Sequence, residues 1–126
     1  MKTIHQTDLA PRPIGPYSQA VEANGFIFCS GQIPLDPATG TIVQGDIATQ
    51  TLRVLENLAA VLEVAQSSLE SVVKTTVFLA DLNDFPEVNK VFEQVFTKDP
   101  PARSVVQAVA LPKGARLEIE AIAVKQ

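Results

Sequence analysis

The 126-residue sequence predicts an α+β fold in two layers, a mixed sheet with two helices packed on one of its faces. Three observations carry that expectation. Residues 46–65 and 84–96 place apolar side chains at intervals of three and four, the period of a half-buried helix. Residues 19–31, 72–80 and 103–124 are instead rich in branched and aromatic side chains, and read as strands. No repeat, low-complexity tract or shift of composition divides the chain, so residues 1–126 read as a single domain.

The elements follow in order. Asp8–Pro16 holds three prolines and a glycine and reads as an ordered, irregular lead-in. QAVEANGFIFCSG is two strands joined at Asn24-Gly25, a pair that accepts the positive φ angles of a type I′ turn. DPATG, residues 36–40, is a further turn with Gly40 in its left-handed position. In the first helix Ala48, Leu52, Leu55, Ala59 and Leu62 form the apolar stripe and Asp46 caps the first turn, while Arg53, Glu56, Asn57 and Glu63 hold the other side. VVKTTVFLA, residues 72–80, is a mostly buried strand. In the second helix Asp84 is the expected cap, Glu87 completes a capping box, and Pro86 sits early enough to be tolerated. Its stripe is Phe85, Val88, Val91, Phe92 and Val95.

Arg103–Ala110 and Ala115–Val124 read as a closing pair of strands around a Pro112-Lys113-Gly114 turn. Along the last strand Leu117, Ile119, Ala121 and Ala123 share one face, and Glu118, Glu120, Ile122 and Val124 the other. The face away from the helices then carries Val105, Val109, Ile122 and Val124, an apolar surface that needs a partner and points to an oligomer.

Composition narrows the function. Apolar residues are 46% of the chain and charged ones 19%, which excludes a disordered chain. The net charge of -4 lacks the broad basic face that nucleic-acid backbones require. Cys29 and His5 are the only residues of their types. A zinc site of several Cys and His ligands is thereby excluded, and a His-assisted nucleophile requires His5 to fold over the site. No export signal or apolar run of about twenty residues is present, so the expected location is the cytoplasm.

Four regions can carry chemistry. Arg103, after Pro100-Pro101-Ala102, suits a fork-shaped grip on a carboxylate, or else a salt bridge to Glu118 or Glu120. Glu118 and Glu120 alternate with apolar residues. They either move a proton or orient a water from a buried position, or form the solvent half of the pattern. Tyr17, after a Gly-Pro turn, offers a hydroxyl to a ligand or packs in an interface. Ser30 and Gly31, at a strand end, permit close approach of a ligand or of another backbone. Cys29, with no basic group nearby in sequence, reads as a small buried hydrophobe. If the last two strands form a hairpin, Glu118 faces Val109 and Arg103 lies about 20 Å away. The two then share a pocket only across a subunit interface.

IGPYSQA, FIFCSGQIPLDPATG, VVKTTVFLADLNDF, VNKVFEQVF, PPARSVVQAVALPKG and LEIEAIAV together closely resemble the reactive intermediate deaminase family (RidA, YjgF-like), and within it the enamine/imine deaminase branch. The resemblance runs from about residue 3 to the end. It implies a chorismate-mutase-like homotrimer, a central barrel of three sheets with helices outside and ligand clefts at the interfaces. It implies hydrolysis of 2-aminoacrylate, 2-aminocrotonate and their 2-imino tautomers to 2-oxo acids and ammonia, without metal or cofactor. These enamines escape from pyridoxal-phosphate dehydratases. Carried over, Arg103 clamps the substrate carboxylate and Glu118 positions or activates water. Tyr17 and Ser30 line the cleft, backbone groups near Gly31 and Val105 add hydrogen bonds, and Asn89 shapes the rim. Val105 stands where many relatives have cysteine, and Val109 where a small or basic residue is usual. Two other readings stand beside this one: a regulator that binds 2-oxo acids or amino acids without turnover, and RNA cleavage or translation inhibition, which the acidic balance disfavours.

Overall fold

The computed structural model describes residues 1–126. Strands β1 (Thr3–His5), β2 (Ala20–Ala23) and β3 (Phe26–Gln32) precede helix α1 (Ile47–Val64). Strand β4 (Val72–Leu79), helix α2 (Phe85–Val95) and strands β5 (Ala102–Gln107) and β6 (Leu117–Val124) complete the chain. One six-stranded mixed sheet has the order β1-β2-β3-β6-β4-β5. Only β4 and β5 run parallel, as a strand–helix–strand crossover requires. Both helices cover the same face, where Val54, Leu58, Val61 and Leu62 meet Ile27, Val77, Leu117 and Ile119.

Local chemistry explains most boundaries. Asn24 and Gly25 take φ of 52° and 80° and close the β2–β3 hairpin in two residues. Asp46 caps α1, its Oδ1 accepting from Thr49 N at 2.9 Å. Gly40, at φ 73°, donates to the Asp36 carbonyl and closes the second turn.

Five expectations are corrected. The short edge strand β1 has no counterpart among the expected elements; its three residues are too few to show a period. The α1 stripe is rotated, with Leu52 exposed and Asn57 fully buried, because the Asn57 amide donates to the Ile33 and Leu35 carbonyls. Strand β4 alternates, burying Thr75, Val77 and Leu79 on the helix side and leaving the other side partly open. Asp84 makes no cap hydrogen bond: it is already helical in conformation and pairs instead with Arg116 at 3.0 Å. The cap has moved upstream to Asp81, which accepts from Asn83 N. Glu87, in turn, pairs with Lys90.

The fifth correction matters most for the site. Strands β5 and β6 do not form a hairpin; β4 lies between them and pairs with both. Residues 108–116 instead step over the end of β4, with Ala108 N donating to Leu79 O and Ala80 N to Arg116 O. Lys113 and Gly114, at φ 56° and 66°, make the turn within that step.

The uncovered face presents Phe26 and Phe28 opposite Val124 and Ile122. Phe78 and Val106 pair on the same side. Val105 is not part of this surface: it is paired with Val77 and packs toward the helices. Val109 lies past the end of β5, fully exposed. Phe26, Phe28, Val106 and Val124 are each 36–44% exposed, so the apolar surface is real although its membership differs from expectation. No helix is long and apolar enough to cross a membrane.

Candidate active site

Two separate clefts hold Glu118 and Arg103, the two candidate catalytic side chains. The first, about 270 Å³, lies between the lead-in, the end of β3 and the start of β6. Tyr17, Gly31 and Glu118 line it together with Gln19, Gln32 and Lys113.

Glu118 reaches this cleft because β3 is irregular. Between Cys29 and Gln32 the β3–β6 register shifts by one residue, a bulge that holds Ser30 and Gly31. A Cβ placed on Gly31 would land on the Glu118 carboxylate, 2.9 Å from its Cγ and Cδ. Glycine is therefore required for the carboxylate to lie across the bulge. Burial raises the Glu118 pKa, and the neighbouring charge of Glu120 raises it further. A half-buried carboxyl with a raised pKa is a candidate for moving a proton.

Ser30 does not line this cleft. Its Oγ donates to the Ser18 carbonyl at 2.6 Å and its N–H to the Gln19 carbonyl at 2.9 Å, which ties the bulge to the segment that carries Tyr17.

Arg103 lies in a second cleft of about 360 Å³ with Asn89, Phe92, Glu93, Phe96, Pro100 and Pro101. Its guanidinium carbon stands 5.3 Å from the Phe85 ring centre and 5.1 Å from that of Phe92. Two aromatic faces hold the cation in place, yet no carboxylate lies within ion-pair distance. Within one chain, the salt bridge to Glu118 or Glu120 is thereby ruled out. Register gives the reason: Arg103 aligns with Thr75 and Ala121 on the helix-covered face, and Glu118 with Phe78 on the other. The two are three residues and two strands apart, about 14 Å between Cα positions. Asn89 shares the cleft with Arg103, its amide turned to Glu93.

His5 sits on the sheet edge against Glu22, remote from both clefts. Cys29 is buried, which pushes its thiol up to about 12 and leaves it inert. No three histidine, cysteine, aspartate or glutamate side chains gather where they could hold a metal ion. Gln19, Gln32, Arg12 and Lys113 line the Glu118 cleft but are not marked as site residues by the sequence pattern. The lysine carries one signal, its place in the Pro-Lys-Gly turn. The glutamines carry none, since nothing local marks where an amide will point.

A half-buried carboxyl with a raised pKa and an arginine without an ion-pair partner thus stand on opposite faces of one sheet. The family model described as Endoribonuclease L-PSP matches residues 7–125. A RutC family protein of Pyrococcus horikoshii is 53% identical over 126 residues, 100% of both chains. The human protein named 2-iminobutanoate/2-iminopropanoate deaminase is 46% identical over 125 residues, covering 99% of this chain and 91% of that one. The crystal structure of E. coli TdcF with bound serine matches with a TM-score of 0.93 at 45% identity, over 98% of this chain and 99% of that one. The chain belongs to this family, the RidA or YjgF-like reactive intermediate deaminases.

Proposed function

We propose that this protein hydrolyses reactive enamines and imines, 2-aminoacrylate, 2-aminocrotonate and their 2-imino tautomers, to 2-oxo acids and ammonia. It does so in the cytoplasm, as a homotrimer of this one domain, on substrates released by pyridoxal-phosphate dehydratases. The observation that carries the reading is the split site: an unpaired Arg103 on edge strand β5, and Glu118 in a cleft on the opposite sheet face. A second copy that brings its Arg103 to the Glu118 cleft would complete the site and cover the open apolar face. The name of the human relative supports the reaction.

The chemistry suits so few groups. Arg103 receives the substrate carboxylate through two parallel N–H donors. The imine carbon is already electrophilic. Glu118 takes a proton from water as its oxygen adds to that carbon, giving a tetrahedral amino alcohol. That proton passes to the nitrogen to complete the amino alcohol; Glu118 then carries the hydroxyl proton to the same nitrogen as the C–N bond breaks, ammonia leaves and the C=O bond of the 2-oxo acid forms. For the enamine form a proton must first be delivered to C3, a task for which Glu118, its pKa raised by burial and by Glu120, is the acid in the cleft. The Tyr17 hydroxyl and backbone groups beside Gly31 orient the substrate.

The direct test is 2-oxo acid and ammonia formation from 2-aminocrotonate generated by a dehydratase, with semicarbazide trapping free imine. Acceleration by the protein is expected. Absence of acceleration by a folded oligomer contradicts the reading and favours binding without turnover. RNA degradation is expected to be absent at any salt concentration, given the net charge of -4.

Gly31→Ala is a second test, since the added methyl must displace the Glu118 carboxylate. The carboxylate is the movable end of its side chain, so the fold is expected to survive. Turnover is expected to fall on the order of a hundredfold with little change in Tm. Unaltered kinetics in that variant would show that the carboxylate position is immaterial.

A further inference from the structure

The lead-in that carries Tyr17 has an unusual attachment. No backbone–backbone hydrogen bond ties residues 7–16 to any strand or helix. One side chain takes over that work. Gln19 is 1% exposed, and its Oε1 accepts from Thr7 N at 2.7 Å. Its Nε2 donates to Thr7 O at 3.1 Å and Pro11 O at 2.8 Å, and reaches Ala10 O at 3.4 Å. Ala10 is the only apolar plug beneath this loop.

The consequences run forward along the chain. Pro11, Arg12, Ile14 and Tyr17 all line the cleft that holds Glu118. Three prolines in Pro11–Pro16 restrict φ at those steps and Tyr17 N donates to Gly15 O at 2.9 Å, so a displacement at Pro11 has a short, constrained path to Tyr17. On its backbone side, Gln19 accepts from Ser30 N within the bulge that places Gly31 against Glu118.

We propose that Gln19 is a positioning residue: its buried amide holds the Thr7–Pro11 loop and so sets where Tyr17 stands over Glu118. The kinetic consequence rests on the deaminase reading; the positional one does not. Tyr17 is the sole tyrosine and the chain has no tryptophan, so intrinsic emission reports this one residue.

Three variants make the test. Gln19→Leu removes every side-chain hydrogen bond and keeps the backbone one to Ser30. Gln19→Glu keeps an acceptor for Thr7 N but turns a carboxylate toward the Thr7 and Pro11 carbonyls. Val61→Ala, in the α1 core and away from both clefts, controls for lost stability. Acrylamide quenching of tyrosine emission and the constants for 2-aminocrotonate are measured on folded protein. Gln19→Leu is expected to alter quenching and to lower kcat/KM by on the order of ten- to a hundredfold. Val61→Ala is expected to lower Tm and leave both readouts unchanged.

In Gln19→Glu, burial beside two carbonyls favours the neutral acid, which can donate again. Its kcat/KM relative to wild type is therefore expected to rise as pH falls from about 8 to about 6. Taking the ratio cancels the titration of Glu118, Tyr17, Arg12 and Lys113, which line the same cleft, and of Asp8, paired with Arg12. Altered quenching with no deaminase activity in the wild type leaves the positioning role standing and removes the reaction assigned above. Unchanged quenching and kinetics in Gln19→Leu, or a flat ratio in Gln19→Glu, overturn the proposal.

Discussion

Glu118→Gln is expected to abolish turnover and, at neutral pH, to raise thermal stability. Loss of a general acid–base group removes on the order of a hundred- to ten-thousandfold in rate. The stability change has the opposite sign for an electrostatic reason. Burial and the charge of Glu120 both hold the folded-state pKa of Glu118 above its ordinary value. Between the unfolded and folded values the native chain therefore binds more protons than the unfolded one. This residue's contribution to stability is greatest below the ordinary carboxylate value and is lost as pH rises through the raised one. A glutamine side chain keeps the shape and cannot ionise, so the variant escapes that loss. Tm of the variant should exceed that of wild type at about pH 7, and the gap should close at about pH 4. A lower Tm at neutral pH would mean that the ionised carboxylate has a stabilising partner in the assembled protein.

Arg103→Ala is expected to lower kcat/KM by on the order of a hundredfold, about 3 kcal/mol, mostly through KM. The guanidinium is lost both as a carboxylate fork and as the cation between Phe85 and Phe92. Packing against two rings contributes about 1 kcal/mol, so a lowered Tm should accompany the kinetic loss. Arg103→Lys separates the two effects. Lysine keeps the charge near the rings but cannot present paired donors, so it should restore stability more fully than KM. Equal recovery of both would indicate that charge alone grips the substrate.

Much of the fold is legible in the sequence because its signals are local. Asn24-Gly25 dictates a two-residue turn, Asp46 marks a helix start, and the alternation of Leu117–Val124 sorts the two faces of β6 correctly. The failures are tertiary. Pro112-Lys113-Gly114 between two strands reads as a hairpin, yet strand–helix–strand over residues 72–107 already favours a parallel β4–β5 pair. Once β4 occupies that place, β6 must pair on its other side. Asn57 and Gln19 look like surface residues because their value lies in carbonyls of distant loops. The separation of Arg103 from Glu118, expected from a hairpin, holds for a different reason, since the two lie on opposite faces of the sheet. The apolar residues of the open face are partly misassigned for the same cause: without the register, Val105 could not be given to the helix side.

The central claim is that the working site is shared between copies, and mixing the two inactive variants tests it most directly. Arg103→Ala and Glu118→Gln chains, carrying different tags, are co-expressed and the mixed oligomers assayed with 2-aminocrotonate. Where one copy supplies Glu118 and its neighbour Arg103, random assembly leaves about a quarter of the interfaces with both native residues. In a mixed trimer one interface in three is complete, so about a third of the wild-type rate should return in the mixed oligomers and none in the unmixed ones. A site built within one chain would never be repaired by mixing, and activity that stays at the level of the separate variants would contradict the shared site.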